Sequence, residues 1–238
     1  MKYALALASL VAAVSAHYTF DVLVVDGQET SSWQYIRENT RAEKYMPTKF
    51  INSPSITPLD SDFTCNEGAN TNAGKTEVAT VAAGSELAMK LAYGARIQHP
   101  GPAQVYMSKA PGNVKDYDGS GDWFKIYQDT VCTPGVELTE GGWCSWDKDR
   151  ISFTIPASTP PGQYLVRAEH IALHGAHGGE AEFYYSCAQV EVTGSGSGEP
   201  SPVVKIPGVY AQDDEAVNFS VWGATDYPLI PGPEVWSG

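Results

Sequence analysis

Apolar residues along this chain recur with period two in short runs, the pattern of strands that bury one face. Leu87, Met89, Leu91 and Tyr93 alternate with Ala88, Lys90 and Ala92. Ile151, Phe153 and Ile155 alternate with Ser152 and Thr154, and Val217, Phe219 and Val221 with Asn218 and Ser220. No long stretch carries a helical period, and there is no repeat or heptad. The 23 glycines and 16 prolines among 238 residues punctuate these runs with turns and long loops. An all-β fold is predicted: a single antiparallel β-sandwich of the immunoglobulin-like kind, with long loops.

The first sixteen residues read as a secretory leader. Lys2 supplies a positive start, 3–14 is apolar and alanine-rich, and Val14-Ser15-Ala16 presents a cleavage pattern. The run is shorter than the roughly 20 apolar residues that span a bilayer, and no later segment is long enough. A secreted, extracellular protein without a membrane span is expected, with 1–16 removed and 17–238 as one domain. An oxidising compartment suits the four cysteines, Cys65, Cys132, Cys144 and Cys187, which lack any C-x-x-C spacing. Three connectivities are open. The expected one pairs Cys132 with Cys144 as a local staple and Cys65 with Cys187 as a long-range clamp.

The formal net charge of −13 repels phosphate backbones, and the basic residues form no patch, so nucleic acid is excluded as a partner. A neutral polysaccharide meets no such penalty. The GSGSG run at 194–198 reads as a flexible linker. The remaining stretch of about forty residues has no cysteine and is too bare for a disulfide-stapled carbohydrate-binding module, so no separate module is expected. A strand at 216–222 and a surface loop of the same domain are predicted there. Asn218-Phe219-Ser220 is a glycosylation sequon, with Asn218 on the face opposite Val217 and Val221.

Cleavage after Ala16 makes His17 the first residue, which offers an α-amine and an imidazole at once. The amine has an ordinary pKa of about 8, so its lone pair is available near neutrality. One further imidazole completes three nitrogens, a set that suits Cu(II). His99, just before Pro100-Gly101-Pro102, is the candidate. Further along, Glu182 and Tyr184 are two apart and share a strand face, with His174 in the turn-rich segment before them. Together these can supply an axial position and hydrogen bonds around a metal. The competing reading makes Tyr184 and Tyr185 ordinary sandwich residues, and His170, His174 and His177 polar loop groups.

In combination these features resemble the fungal lytic polysaccharide monooxygenases of auxiliary activity family 9, formerly a glycoside hydrolase family. The matching pieces are His17 after a leader, HPGPAQVYMSKAP at 99–111, DGSGDWFKI at 118–126, PGQYLVRAEHIALH at 161–174, AEFYYSCAQVEVTG at 181–194 and IPGPEVWSG at 230–238. The resemblance implies one copper ion held by His17, through amine and Nδ1, and by His99, through Nε2. It implies Tyr184 as axial ligand and His174 as the histidine that positions the oxygen co-substrate. It matches Cys65–Cys187 to the family's long-range bridge, while Cys132–Cys144 falls at a variable position. Tyr210 and Tyr227 lie where the family's C-terminal loop carries substrate-facing tyrosines, packing of that loop being their other reading. The implied activity is oxidative cleavage of β-1,4-glucan, cellulose above all, at C1 and/or C4. It uses O2 or H2O2 and a small reductant or redox partner protein, and the enzyme is expected to be a monomer. The alternative is a secreted copper- or carbohydrate-binding sandwich without catalysis.

One departure stands out: Glu182 occupies a place where the family usually has Gln. Gln donates a hydrogen bond; an ionised Glu cannot. Glu182 is therefore expected to act as an acid beside the metal, protonated to donate and to relay a proton. Two other acidic patterns point elsewhere. Asp116-Tyr117-Asp118-Gly119-Ser120-Gly121 opens like a calcium loop, but its twelfth position is Tyr127 rather than Glu, so a polar turn is expected. Glu180 and Glu182 resemble a glycosidase carboxylate pair, which leaves a histidine after the cleavage site unexplained.

Overall fold

The computed structural model describes residues 17–238; the leader expected at 1–16 lies outside the described residues. Among the described residues there is no α-helix, only strands and short 3-10 turns. Strands β1 (Phe20–Val25), β2 (Gln28–Glu29), β4 (Glu86–Leu91) and β7 (Arg150–Thr154) form one sheet in the order β2-β1-β4-β7. Strands β3 (Ala79–Ala82), β5 (Ala103–Lys109), β6 (Phe124–Asp129), β8 (Gly162–Ala172) and β9 (Glu182–Thr193) form the other, in the order β3-β9-β8-β5-β6. The two sheets make the expected sandwich, with one exception to its antiparallel rule. Edge strand β3 runs parallel to β9. The chain enters β3 from the long segment after β2 and leaves it for the other sheet, so no hairpin forces an antiparallel neighbour.

The runs at 87–91 and 151–155 become β4 and β7, paired Leu87↔Phe153 and Met89↔Ile151. Their inward residues pack with Phe20, Val105, Val166 and Val190 between the sheets. The five-stranded sheet is buried on its outer face too. There Tyr106, Leu165, Tyr185 and Cys187 pack under Phe63, Trp123, Tyr210 and Val217 from the long loops. Both faces of β5, β8 and β9 are thus covered, which is why those strands show no clean alternation of apolar and exposed polar residues. Arg167 and Glu169 sit on this outer face as a fully buried pair 2.6 Å apart. The guanidinium lies 4.3 Å over the Tyr185 ring.

Three expectations are corrected by this packing. The strand predicted at 216–222 is a loop, because Val217 and Val221 bury their side chains against the second cluster while no neighbouring strand pairs with their backbone. Asn218 accordingly sits in a loop, its amide donating to the Gln212 carbonyl at 2.7 Å. The 194–198 run does not hang free. A Cβ at Gly196 would lie 2.2 Å from the Thr159 carbonyl oxygen, and Gly198 N–H donates to the Ser158 carbonyl at 2.8 Å. Glycine is used here for close backbone approach. The C-terminal segment closes with Trp236 packed edge-on against Phe124, 5.3 Å between rings.

Both expected disulfides form. Cys65–Cys187 spans 122 residues and ties the long loops to the middle of β9; Cys132–Cys144 spans 12. The calcium-like stretch is a polar turn, in which Asp118 Oδ1 accepts from the Ser120 N–H at 2.9 Å.

Candidate metal centre

Four pieces of chain meet at one end of the sandwich. Residues 17–19 lead into β1, and Ala92 N–H donates to the Thr19 carbonyl at 2.9 Å, which fixes the start of β1 beside the end of β4. The 92–102 connection leads into β5, whose first residue Ala103 pairs with His170 near the end of β8. The 173–181 connection joins β8 to β9, where His170 pairs with Tyr184 and Ala172 with Glu182. The sheet register therefore brings the N-terminus, His99, His174, Glu182 and Tyr184 to the same edge.

The Pro100-Gly101-Pro102 turn is pinned on the end of β8. Leu173 N–H donates to the Pro100 carbonyl at 2.7 Å and Ile171 N–H to the Pro102 carbonyl at 3.0 Å. Gly101 has φ +154° and a Cβ there would fall 1.8 Å from the Ile171 carbonyl oxygen, so only glycine fits. This seats His99 on His174, rings stacked with centroids 4.6 Å apart. His17 lies 5.9 Å from His99 and 6.1 Å from Tyr184, centroid to centroid.

Ligating atoms of His17, His99 and Glu182 all lie within 4.8 Å of one another. Two donors each about 2.1 Å from one ion are at most about 4.2 Å apart, so small side-chain rotations bring this set onto a single metal. Two imidazoles and a carboxylate are a mixed nitrogen and oxygen set that suits Cu(II). Removal of 1–16 would add the α-amine. His17 and His99 are half-buried and Glu182 is buried, so the site opens at the surface. A recess of about 420 Å³ elsewhere, lined by Arg41, Met46 and Glu67 among others, shares no residue with it.

Beneath the donors lies a neutral, hydrogen-bonded layer. Tyr184 hydroxyl donates to Glu182 Oε2 at 2.6 Å. Burial, with Tyr18 and Glu182 nearby, holds the Tyr184 phenol well above its usual range. Without a metal it stays protonated at neutral pH. Tyr18 stacks on Tyr184 at 4.2 Å. His170 is fully buried, with Nδ1 2.7 Å from the Tyr18 hydroxyl and Nε2 3.2 Å from the Gly101 carbonyl. Burial, helped by His99, pushes its imidazole down to about 3, so the ring is neutral. A carbonyl only accepts, so Nε2 carries the proton and Nδ1 accepts from Tyr18. This pair escaped the sequence reading, which left His170 as a loop polar group. Its signal was present: His170 falls in phase with Val166, Ala168 and Ala172, all inter-sheet core residues on the same face of β8.

His174 stands 37% exposed, its Nε2 3.9 Å from Glu182 Oε1. Glu180 is engaged elsewhere, by Lys49 at 2.9 Å and Asn52 at 2.9 Å, and His177 is exposed. The substrate-facing role expected of Tyr210 and Tyr227 does not survive. They are only 3% and 4% exposed. Tyr210 donates to Glu169 Oε1 at 2.6 Å and Tyr227 to the Ala216 carbonyl at 2.7 Å. Both pack the C-terminal loop down, because buried partners satisfy their hydroxyls. Two other aromatics are open to solvent at this end. Trp222, 60% exposed, donates its indole N–H to the His174 carbonyl at 3.2 Å. Tyr93, 81% exposed, follows Ala92, which is bonded to Thr19, and has φ +57°, a conformation that costs a non-glycine residue about 1 kcal/mol or more.

Known proteins share this arrangement of chain. The family model "Auxiliary Activity family 9 (formerly GH61)" matches residues 17–227. The chain is 60% identical to AA9 family lytic polysaccharide monooxygenase D of Aspergillus tamarii over 98% of its length and 86% of that protein. It is 60% identical to AA9 family lytic polysaccharide monooxygenase A of Aspergillus fumigatus over 98% of its length and 81% of that protein. Among solved structures, HiLPMO9B superposes with a TM-score of 0.78 at 28% identity, covering 93% of this chain and 100% of its own. A cellulose-active polysaccharide monooxygenase from M. thermophila gives 0.73 at 30% identity, with coverages of 93% and 100%.

Proposed function

The chain belongs to Auxiliary Activity family 9, the copper-dependent lytic polysaccharide monooxygenases, and we propose that it is secreted, begins at His17 and cleaves β-1,4-glucan chains of cellulose at C1 and/or C4. The observation that carries this reading is the convergence of His17, His99 and Glu182 within 4.8 Å at an open surface. The family match begins at residue 17, the position where leader removal would free the amine. The M. thermophila relative is cellulose-active, which supports the choice of substrate.

In this reading His17, through amine and Nδ1, and His99, through Nε2, would hold one copper ion. Bound copper supplies one-electron redox chemistry with O2 or H2O2, driven by an external reductant or redox partner protein. Tyr184, its hydroxyl bonded to Glu182, would be a further oxygen donor toward that ion. His174, stacked on His99 and partly exposed, positions the oxygen co-substrate. The buried Tyr18–His170 pair, bonded at 2.7 Å, would support the donors from below. Because the donors stand at the surface, a flat polysaccharide can approach them without entering a pocket. Trp222 and Tyr93 are the aromatics placed to meet sugar rings, in the role Tyr210 and Tyr227 cannot fill. The protein works as a monomer, without nucleic acid or membrane.

The test incubates mature protein with cellulose, with and without ascorbate and a chelator, and seeks aldonic acids or C4 ketones by mass spectrometry. Oxidised products only with reductant and without chelator are expected. Products lacking oxidation, or formed without reductant, would indicate a hydrolase. No products with retained copper would leave only the binding protein.

A further inference from the structure

We propose that Glu182 is itself a metal ligand, in place of the protonated acid expected from the sequence, so that this chain would hold its copper through histidine nitrogens and a carboxylate oxygen. The inference rests on the functional reading above and deepens it. Glu182 is the first residue of β9, and its backbone position is fixed by pairing with Ala172. It is 7% exposed, yet among the described residues no lysine or arginine forms an ion pair with it; the groups around it are imidazoles, His174 at 3.9 Å and those of His17 and His99 within 4.8 Å. A buried carboxylate is costly without a countercharge. The hydroxyl of Tyr184 donates to its Oε2. A carboxylate has about four acceptor sites on two oxygens, so that bond leaves room for a cation. The cation that fits is the one the imidazoles of His17 and His99 face, within 4.8 Å of a Glu182 oxygen.

The chemistry differs from that of an amide at the same place. Glutamine would bring a neutral dipole; glutamate brings a negative charge in a poorly solvated position, where its attraction to a cation is weakly screened. The attraction grows with the charge of the ion, so Glu182 favours Cu(II) over Cu(I). Tyr184 clamps the carboxylate in place and is a positioning residue for it.

The experiment uses the mature chain, its N-terminus confirmed as His17, stripped of metal and checked for folding by circular dichroism. Cu(II) and Cu(I) affinities are measured by chelator competition, and Cu(II) spectra by electron paramagnetic resonance. The variants are Glu182→Gln, Tyr184→Phe and the double variant. Ligation predicts that Glu182→Gln weakens Cu(II) binding about tenfold or more and Cu(I) binding much less. It also predicts a changed copper hyperfine pattern in Glu182→Gln, and a smaller loss of Cu(II) affinity in Tyr184→Phe, whose carboxylate is no longer clamped. An unchanged spectrum in Glu182→Gln, or equal weakening of Cu(II) and Cu(I) binding by that substitution, overturns the proposal and leaves the copper reading intact. Failure of the wild-type chain to bind one copper overturns both.

Discussion

His17 can close a chelate only when its own nitrogen begins the chain. A variant carrying one extra glycine ahead of His17 converts that amine to an amide, which is no longer a basic donor. It should fold normally and lose Cu(II) affinity by about a hundredfold, read by chelator competition; retained affinity would mean that the amine takes no part. Trp222 acts on a different event. Its indole is anchored to the His174 carbonyl while most of the ring faces solvent. Trp222→Ala should lower adsorption to cellulose about three- to tenfold, the value of one aromatic contact, and leave copper affinity unchanged. Binding isotherms on crystalline cellulose check this, and an unaltered isotherm would remove Trp222 from the docking face.

Within the elements, β8 and β9 carry the centre between them, eleven residue pairs in continuous register from Gly162↔Val192 to Ala172↔Glu182. A slip of one residue would turn Glu182 and Tyr184 to the opposite face. At the same end of the sheet, β6 finishes on Asp129, whose carboxylate accepts from Tyr127 hydroxyl at 2.9 Å and Ala103 N–H at 3.1 Å. Burial outweighs both bonds and raises its pKa to about 6. The folded state therefore holds a proton that the unfolded chain releases near pH 4. Wild-type stability carries no penalty below that pH and loses ground as pH climbs through 6. Asp129→Asn cannot titrate, so its stability relative to wild type should rise by about 2 kcal/mol between pH 4 and 7. Urea unfolding of the metal-free proteins at the two pH values checks the slope; a constant difference would show that Asp129 ionises normally.

At the scale of the molecule, the loops need fastening because so much of the chain lies outside strands. Cys65–Cys187 closes 122 residues and fixes the loop cluster onto β9, whereas Cys132–Cys144 closes 12. On chain entropy alone, loss of the first should cost about 5 kcal/mol and loss of the second about 3 kcal/mol. Paired serine variants compared by thermal unfolding test the order, and a larger loss from Cys132→Ser with Cys144→Ser would reverse it. The net charge of −13 is spread over a surface whose partner is proposed to be neutral. Such a charge favours solubility.

Local chemistry was readable along the chain. Period-two runs announced β4 and β7, and the Pro-Gly-Pro turn announced a loop beside His99. These signals depend on residues close in sequence, whose spacing is set by covalent geometry. The same alternation misled at 217–221, because a strand also needs a neighbouring edge, and none reaches that loop. It misled at Tyr93, where φ turns positive and ends the run. The burial of Tyr210 and Tyr227, the exposure of Trp222 and the meeting of Glu182 with His17 and His99 were decided only by tertiary packing. Burial and counter-charge are properties of what the rest of the chain places around a side chain. No residue carries that information in its own neighbourhood.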